Sequence, residues 1–486
     1  MRILLVVPPG LDGNYITKYH ASSFLNFTAP PLGLAYIAAV LEKNGYDPQI
    51  LDCKALGLTF QEYRRFVKRI DPDFVGIQVL TVNIYDALRS AQISKEEGVN
   101  YVAFGGYHPT NMPEECLEMS NGNVDVVFRG ESEYSILEFV NCIENGKNWH
   151  EVPGISYKSG KSGDTEVIKH NPQPPLIKDI DSLPFPARHL LPMDRYRVFG
   201  TSFPATTLVT SRGCPYKCDF CAVTAFYNAR WRPRSPQNIR EEMELIRDDF
   251  DLKAVAFVDD LFFMSRKRIN RICEEFLREK LDVYWGATTR PEKSDLEHLS
   301  LMRKAGCRLV FVGVESGDQT ILDNITKDTT VSQIEKFFVN IKKSRMDSLA
   351  SVSFGFPGET RETVINTVNW VTDVLDPSLA VFTVATPYPG TRFYHQALAE
   401  GWIKEKDYSK YNLFTPVMDT TGLTREELKE LTKWAYKKFY LRVSKAMQNT
   451  AREFRYSLES YGLRMFLKNS IFFAKGLVNM RQIAAL

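Results

Sequence analysis

Along the first 145 residues, short apolar runs alternate with longer stretches of helical period. The runs at 3–7, 49–51, 74–79, 101–104 and 124–128 predict buried strands, the first ended by Pro8-Pro9-Gly10. Between them, residues 32–41, 60–70, 84–94 and 136–143 carry helical patterns, with Gly45 as the expected cap of the first. Five strands separated by helices predict an open, doubly wound parallel sheet, a Rossmann-like α/β fold. Such sheets hold ligands at the carboxyl ends of their strands. The loops there carry Thr81, Gly105-Gly106-Tyr107-His108 and Gly130-Glu131.

Residues 146–200 break the rhythm. A polar, Gly-rich turn at 158–164 and Pro172, Pro174, Pro175, Pro184, Pro186 and Pro192 leave no room for long helices, so a structured proline-rich linker is expected. A second series of apolar runs follows at 207–210, 254–258, 284–287, 309–314, 351–356 and 380–384, with helical patterns between them, as at 239–248 and 334–343. Six such units across 201–400 predict a partial (β/α)6 barrel of the TIM type, whose chemistry sits at the strand carboxyl ends. Residues 401–486 carry only helical patterns and are expected to form a helical C-terminal domain.

Composition narrows the function. The 486 residues are 44% hydrophobic and 25% charged, which excludes wholesale disorder. A net charge of +2 gives no global electrostatic case for nucleic acid. No apolar stretch approaches the roughly 18 residues of a membrane span. Eight cysteines are too sparse for a disulfide scaffold in a chain of this size, and five stand singly, which suits a reducing cytoplasm. The charge is uneven, however. Residues 433–486 hold eleven Lys or Arg against Glu453 and Glu459, a net +9 that leaves −7 for residues 1–432. Leu463, Phe466, Leu467, Ile471, Leu477 and Val478 form an apolar stripe at helical spacing, interleaved with Arg464, Lys468, Lys475 and Arg481. This composition fits a helix on an anionic membrane surface, or one packed on the barrel with a solvated basic side.

The other three cysteines, Cys214, Cys218 and Cys221, share one loop after the first barrel strand. Zinc sites usually take four ligands, and no second Cys pair or His pair lies nearby; His189 and His298 are the closest histidines. Three thiolates leave one corner of a cubane iron–sulfur cluster open. A zinc knuckle completed from afar is the alternative. The pattern Cys-x3-Cys-x-aromatic-Cys, with Phe220 before the last Cys, resembles the signature of radical S-adenosylmethionine enzymes. The resemblance implies a 4Fe-4S cluster whose open iron chelates S-adenosylmethionine. An external reductant of flavodoxin or ferredoxin type then drives cleavage to a 5′-deoxyadenosyl radical that abstracts hydrogen from substrate. It further implies S-adenosylmethionine contacts from Phe220 and from Val258, Asp259 and Asp260, which replace the family's usual Gly-Gly-Glu. Glu315 and Ser316 fall on the ribose-contacting strand, and Gly355, Phe356 and Glu359 on the strand against which adenine packs. Arg290 and Tyr388, beyond the third and last barrel strands, are the expected substrate contacts. Arg230, Arg232 and Arg234 are expected at the surface.

The N-terminal sheet lacks Gly-x-Gly-x-x-Gly after its first strand, against a dinucleotide. Its segments Pro30-Pro31-Leu32-Gly33-Leu34-Ala35-Tyr36, Gly76-Ile77-Gln78-Val79-Leu80-Thr81, Gly105-Gly106-Tyr107-His108-Pro109-Thr110 and Arg129-Gly130-Glu131-Ser132-Glu133 resemble the cobalamin-binding domain of the cobalamin-dependent radical subfamily. That group includes methylases and the anaerobic magnesium-protoporphyrin ester cyclase. The resemblance implies cobalamin contacts from Gln78, Leu80, Thr81, Gly105, Gly106, Tyr107, His108, Gly130 and Glu131. Many such domains place a cobalt-ligating His in Asp-x-His-x-x-Gly after the first strand. Here that loop reads Gly10-Leu11-Asp12-Gly13-Asn14-Tyr15, so cobalamin is expected base-off with no His from that motif on cobalt. His20 and His108 are each expected to hydrogen-bond within a loop, with axial ligation of cobalt as the alternative role, and a domain without cobalamin is the alternative to all of this. The implied activity is methylation of an unactivated carbon on a hydrophobic substrate (lipid, isoprenoid or tetrapyrrole), with peripheral membrane contact. Radical cyclisation or carbon–carbon bond formation with the same cofactors is the alternative. A cobalamin- or redox-sensing protein is the alternative of another class.

Overall fold

Two parallel sheets organise the chain in the computed structural model, which describes residues 1–10, 28–162, 165–198, 203–293 and 295–442 with Lys445 and Gln448. In the first sheet β1 (Ile3–Val7), β2 (Pro48–Asp52), β3 (Phe74–Gln78), β4 (Tyr101–Gly105) and β5 (Val126–Phe128) pair in parallel in the order β2-β1-β3-β4-β5. Helices Leu32–Lys43, Phe60–Ile70, Ile84–Glu96 and Glu133–Glu144 connect or cover them, as the periodicity predicts. The strand order reverses between β1 and β3, and a ligand crevice belongs at that point.

The stretch at 146–200 does more than link. β6 (Ile155–Ser162) and β7 (Thr165–His170) form a hairpin that adds antiparallel to β5, giving seven strands. Ile155 and Tyr157 are buried, but the outer half of β6 begins Lys158-Ser159-Gly160, so a one-faced edge strand reads as a turn. The proline-bearing part holds only single turns, at Ile180–Ser182, Arg188–Leu190 and Met193–Arg195.

In the second sheet β8 (Thr206–Leu208) leads into a small antiparallel ribbon, β9 (Ser211–Arg212) with β10 (Arg232–Pro233). Then follow β11 (Ala254–Phe257), β12 (Tyr284–Thr289), β13 (Cys307–Glu315), β14 (Asp347–Phe354) and β15 (Leu379–Val384), all parallel, in the order β15-β14-β13-β12-β11-β8. No pairing joins β15 to β8 among the described residues, so the barrel is partial. Both edges are nevertheless covered. Arg188 donates to Thr207 O (2.8 Å) and Arg234 to Val209 O (2.7 Å), and Glu242, fully buried, pairs with both guanidinium groups. Arg232 and Arg234, expected at the surface, are therefore buried, because an unpaired strand edge needs donors and a buried carboxylate needs cations. At the other edge, helix Arg425–Tyr440 brings Tyr436 Oη to Phe382 N (3.2 Å) and Tyr440 Oη to Ala380 N and O.

Residues 401–424 were expected to be helical but form no α-helix. They cross back to the first sheet, where Tyr408, Tyr411 and Val417 join the core around Tyr63, Ile84 and Phe104. The apolar stripe at 463–478, the loop at 11–15 and His20 lie outside the described residues. No described helix is long and apolar enough to cross a membrane.

Candidate active site

The cysteine loop is held from beneath by two neighbouring aspartates at the end of β11. Asp259 is buried and accepts from Thr210 N (2.6 Å), Thr210 Oγ1 (2.5 Å) and Ser211 Oγ (2.5 Å). Asp260 accepts from Gly213 N at 2.9 Å, and burial pushes its carboxyl up to about 6. Asp259, expected to meet S-adenosylmethionine, is thus engaged in shaping the turn into Cys214. Gly213 has φ 81°, and a Cβ there would fall 2.0 Å from Arg230 O, so the ribbon crossing tolerates only glycine. Cys221 ends the loop as N-cap of helix Ala222–Tyr227.

Burial raises the Cys214 thiol and pushes Cys221 up to about 12. Arg290 stands beside them. Its Nη1 lies 3.5 Å from Cys218 Sγ, its guanidinium sits 3.7 Å over the Tyr216 ring, and its other donors serve Glu292, Lys327 O and Asp328 O. Arg290 therefore braces the loop with its donors engaged rather than reaching for substrate as expected. Among the described residues no three His, Cys, Asp or Glu converge as a single-ion site requires. A cubane needs no such convergence, since each thiolate binds its own iron, so the donor set fits a cluster.

Beside the loop, the Phe220 ring packs on Phe356 with centroids 5.2 Å apart. Lys327 Nζ lies 5.9 Å over Phe220 and bonds Glu315 Oε1 at 2.7 Å. Glu315 adopts φ 63° where the β13–β14 register shifts, so its side chain is held in a strained turn. Ser316 Oγ is turned to Asp318 N (3.2 Å) and Thr367 Oγ1 (3.4 Å). Gly355 N and Phe356 N donate to Glu359 Oε2 at 2.5 and 3.0 Å. Glu359 is fully buried with Oε1 unpartnered, and burial pushes its carboxyl up to about 8. Phe220, Glu315, Gly355, Phe356 and Glu359 thus gather on one side of the cysteine loop. Tyr388 is half-buried, and its hydroxyl donates to Tyr411 O at 3.0 Å, so that hydroxyl is engaged within the protein.

A cavity of about 320 Å³ lies between the two sheets. Gln78, Leu80, Gly105, Gly106, Tyr107 and Gly130 line it from the first. Val258, Asp260, Phe226 and Tyr227 line it from the barrel. Gly106 has φ 124°, and a Cβ there would strike Val79 O at 2.5 Å, so the loops after β3 and β4 meet backbone to backbone. Thr81 and His108 do not line the cavity. His108 Nδ1 pairs with Thr81 Oγ1 (3.2 Å), its ring meets Tyr408 edge-on, and burial pulls it down to about 4. It faces the crossing segment and stays neutral.

Glu131 lines the cavity but spends its charge on the barrel. It pairs with Arg212 (2.8 Å) and Arg232 (2.7 Å) and accepts from Ile177 N (3.0 Å). Burial works to raise its carboxyl, and the two guanidinium groups outweigh that and hold it below the ordinary range. Arg212 also pairs with Glu133 (2.7 Å) and lies 4.9 Å over the Tyr36 ring. Arg212, Glu133 and Tyr227 were not among the expected site residues, although Glu133 closes the Arg129–Glu133 motif. Arg212 sits two residues before Cys214, a position that marks it only in hindsight, and Tyr227 carries no sequence signal at all.

Residues 25–140 match the B12 binding domain family and residues 208–371 the Radical SAM superfamily. Over 444 residues the chain is 36% identical to an uncharacterized methyltransferase of Pyrococcus horikoshii, covering 91% of this chain and 93% of that one. The chain belongs to the cobalamin-dependent radical S-adenosylmethionine enzymes. Among these enzymes it is also 30% identical over 449 residues to an anaerobic magnesium-protoporphyrin IX monomethyl ester cyclase of Rubrivivax gelatinosus, covering 91% of this chain and 78% of that one. The cobalamin-dependent radical enzyme OxsB, solved with aqua-cobalamin and S-adenosylmethionine, shares the fold at TM-score 0.72 and 16% identity, covering 98% of this chain and 75% of that one. The two-sheet arrangement around one cavity is thus the architecture of a cobalamin-dependent radical S-adenosylmethionine enzyme.

Proposed function

We propose that this enzyme methylates an unactivated carbon of a hydrophobic small molecule. The observation that carries the reading is the junction of its two sites: Asp260 both lines the inter-sheet cavity and bonds Gly213 at the entry to the cysteine loop. In this reading Cys214, Cys218 and Cys221 hold a 4Fe-4S cluster, and Phe220 and Phe356 flank the adenine of S-adenosylmethionine. Small residues at 105, 106 and 130 would let the backbone approach the bulky nucleotide tail of cobalamin. Bound there, cluster and S-adenosylmethionine supply a hydrogen-abstracting radical, and cobalamin supplies the methyl group. The protein's part is positional. The Glu131–Arg212–Glu133 network fixes the distance between the sites, and Phe226 and Leu80 present apolar surface at the cavity.

In this reading cobalamin is bound base-off, with no His from an Asp-x-His-x-x-Gly motif on cobalt, because the loop after β1 reads Gly10-Leu11-Asp12-Gly13-Asn14-Tyr15. Reduction of the cluster falls to an external donor of flavodoxin or ferredoxin type. The 30% identity to the cyclase favours a second reading, oxidative ring closure with the same cofactors. One experiment separates the two. Anaerobically reconstituted enzyme is given dithionite, S-adenosylmethionine with a deuterated methyl group, and lipid, isoprenoid or tetrapyrrole extracts. Methylation yields 5′-deoxyadenosine and a product heavier by one labelled methyl; ring closure yields an unlabelled product lighter by two hydrogens. Absence of 5′-deoxyadenosine under these conditions sinks both.

A further inference from the structure

One of the three cysteines has a neighbour of a different kind. Cys214 and Cys221 accept from the backbone amides of Tyr216 and Val223. Cys218 instead meets a guanidinium: Arg290 Nη1 lies 3.5 Å from its Sγ, and both residues are more than nine-tenths buried. Burial keeps water and salt from screening such a pair.

The guanidinium cannot turn away. Its Nη2 donates to Lys327 O and to Asp328 O (3.2 Å), and its carbon lies 3.7 Å from the centre of the Tyr216 ring. Its Nε pairs with Glu292 Oε1 at 2.6 Å, and Glu292 is itself fixed, because Oε2 accepts from Thr329 Oγ1 at 3.1 Å. The turn that Arg290 grips holds Thr326 and Asp328 at φ of 55° and 51°. Asp219 ties that turn to the cysteine loop, donating from its N to Ile325 O (3.1 Å) and accepting from Thr326 Oγ1 (3.0 Å). The fork is therefore polarised. Its Nη1 edge faces a cysteine sulfur and its Nε edge a carboxylate.

We infer that Arg290 and Glu292 together set the reduction potential of the cluster, the arginine raising it and the glutamate lowering it. The inference rests on the reading that Cys214, Cys218 and Cys221 hold a 4Fe-4S cluster. On reduction the cluster takes one electron from the external donor, and its net charge becomes more negative by one. A cation and an N–H···S hydrogen bond at Cys218 favour that more negative state, and a carboxylate behind the cation disfavours it. Arg290 is thus a positioning residue for the loop whose charge also tunes the electron's arrival.

The test reads a potential, not turnover. Reconstituted, cobamide-free parent, Arg290→Gln, Arg290→Lys and Glu292→Gln are poised anaerobically with dithionite and mediators, without S-adenosylmethionine. Electron paramagnetic resonance follows the reduced cluster, and iron and sulfide are counted in each protein. At a fixed solution potential the ratio of reduced to oxidised cluster is expected to fall at least tenfold in Arg290→Gln, a midpoint lower by about 59 mV or more. Arg290→Lys, which keeps the charge without the fork, is expected between Arg290→Gln and the parent. Glu292→Gln is expected to raise the ratio at least threefold. Lost packing alone would not move the two neutral variants in opposite directions. At parental cluster content, a ratio within twofold of the parent in either neutral variant, or a shift of the same sign in both, overturns the inference. If one variant takes up no iron, the other decides; loss of the cluster from all three leaves the pair a structural role and overturns it as well. A parent that holds no iron overturns the cluster reading instead.

Discussion

Glu359 is a carboxyl with no charged partner, fully buried, whose one engaged oxygen holds the Gly355–Phe356 turn. Its folded pKa of about 8 lies above the ordinary 4.5, so the folded chain keeps a proton that the unfolded chain releases. The stability it lends is complete below pH 4.5 and declines as pH rises toward 8, by up to about 1.4 kcal/mol per pH unit. Glu359→Gln keeps an acceptor for both amides without the titration. Thermal unfolding between pH 6 and 9 should therefore fall less steeply in that variant than in the parent. Gly213→Ala is expected to lose most of the bound iron without touching a ligand, since its Cβ would collide with Arg230 O; iron and sulfide content after reconstitution measures this. At this scale sequence was informative where chemistry is contiguous. Cys214, Cys218, Cys221 and Phe220 form one contiguous motif, so a cluster could be expected from spacing alone. The surroundings of Asp259 and Arg290 could not, because what a side chain faces depends on strands that arrive from elsewhere in the chain.

Among the elements, the strands of both sheets were legible from apolar runs because parallel strands are buried on both faces. The β6–β7 hairpin was not, since an edge strand with a solvated half shows no such run. Nor was the Arg188–Glu242–Arg234 cluster, which takes the place of a neighbouring strand along β8; charged residues at 234 and 242 read as solvated until the edge beside them is known. Glu242→Gln would leave two guanidinium groups buried with one partner removed. Such a loss costs about 3–5 kcal/mol, to be read from the urea midpoint of unfolding. Because β8 leads directly into the cysteine loop, the same variant should also hold less iron at 37 °C than at 10 °C, a difference absent from the parent.

For the whole molecule, the order of parts along the chain was readable and their mutual placement was not. That placement rests on a few contacts across the seam. Glu131 and Glu133 grip Arg212, Tyr196 Oη donates to Asp52 at 3.0 Å, and Tyr408 Oη donates to Glu115 at 3.1 Å from the returning segment. A lysine cannot span two carboxylates as a guanidinium does. Arg212→Lys is therefore expected to keep its cluster, judged by iron content and absorbance, and to weaken cobalamin binding roughly tenfold, the ~1.4 kcal/mol of one lost charged contact.

The Glu131–Arg212–Glu133 clasp also bears on how such chains diversify. Its two halves are encoded 81 residues apart in the Glu131–Arg212 pair, on either side of the proline-bearing stretch. A recombination event within that stretch would join a cobalamin domain to a foreign barrel and set its acidic pair against whatever that barrel carries at position 212. Such a hybrid is expected to keep the seam only where the incoming barrel carries an arginine at that position, so position 212 is the one to match when a chimera of this chain is built.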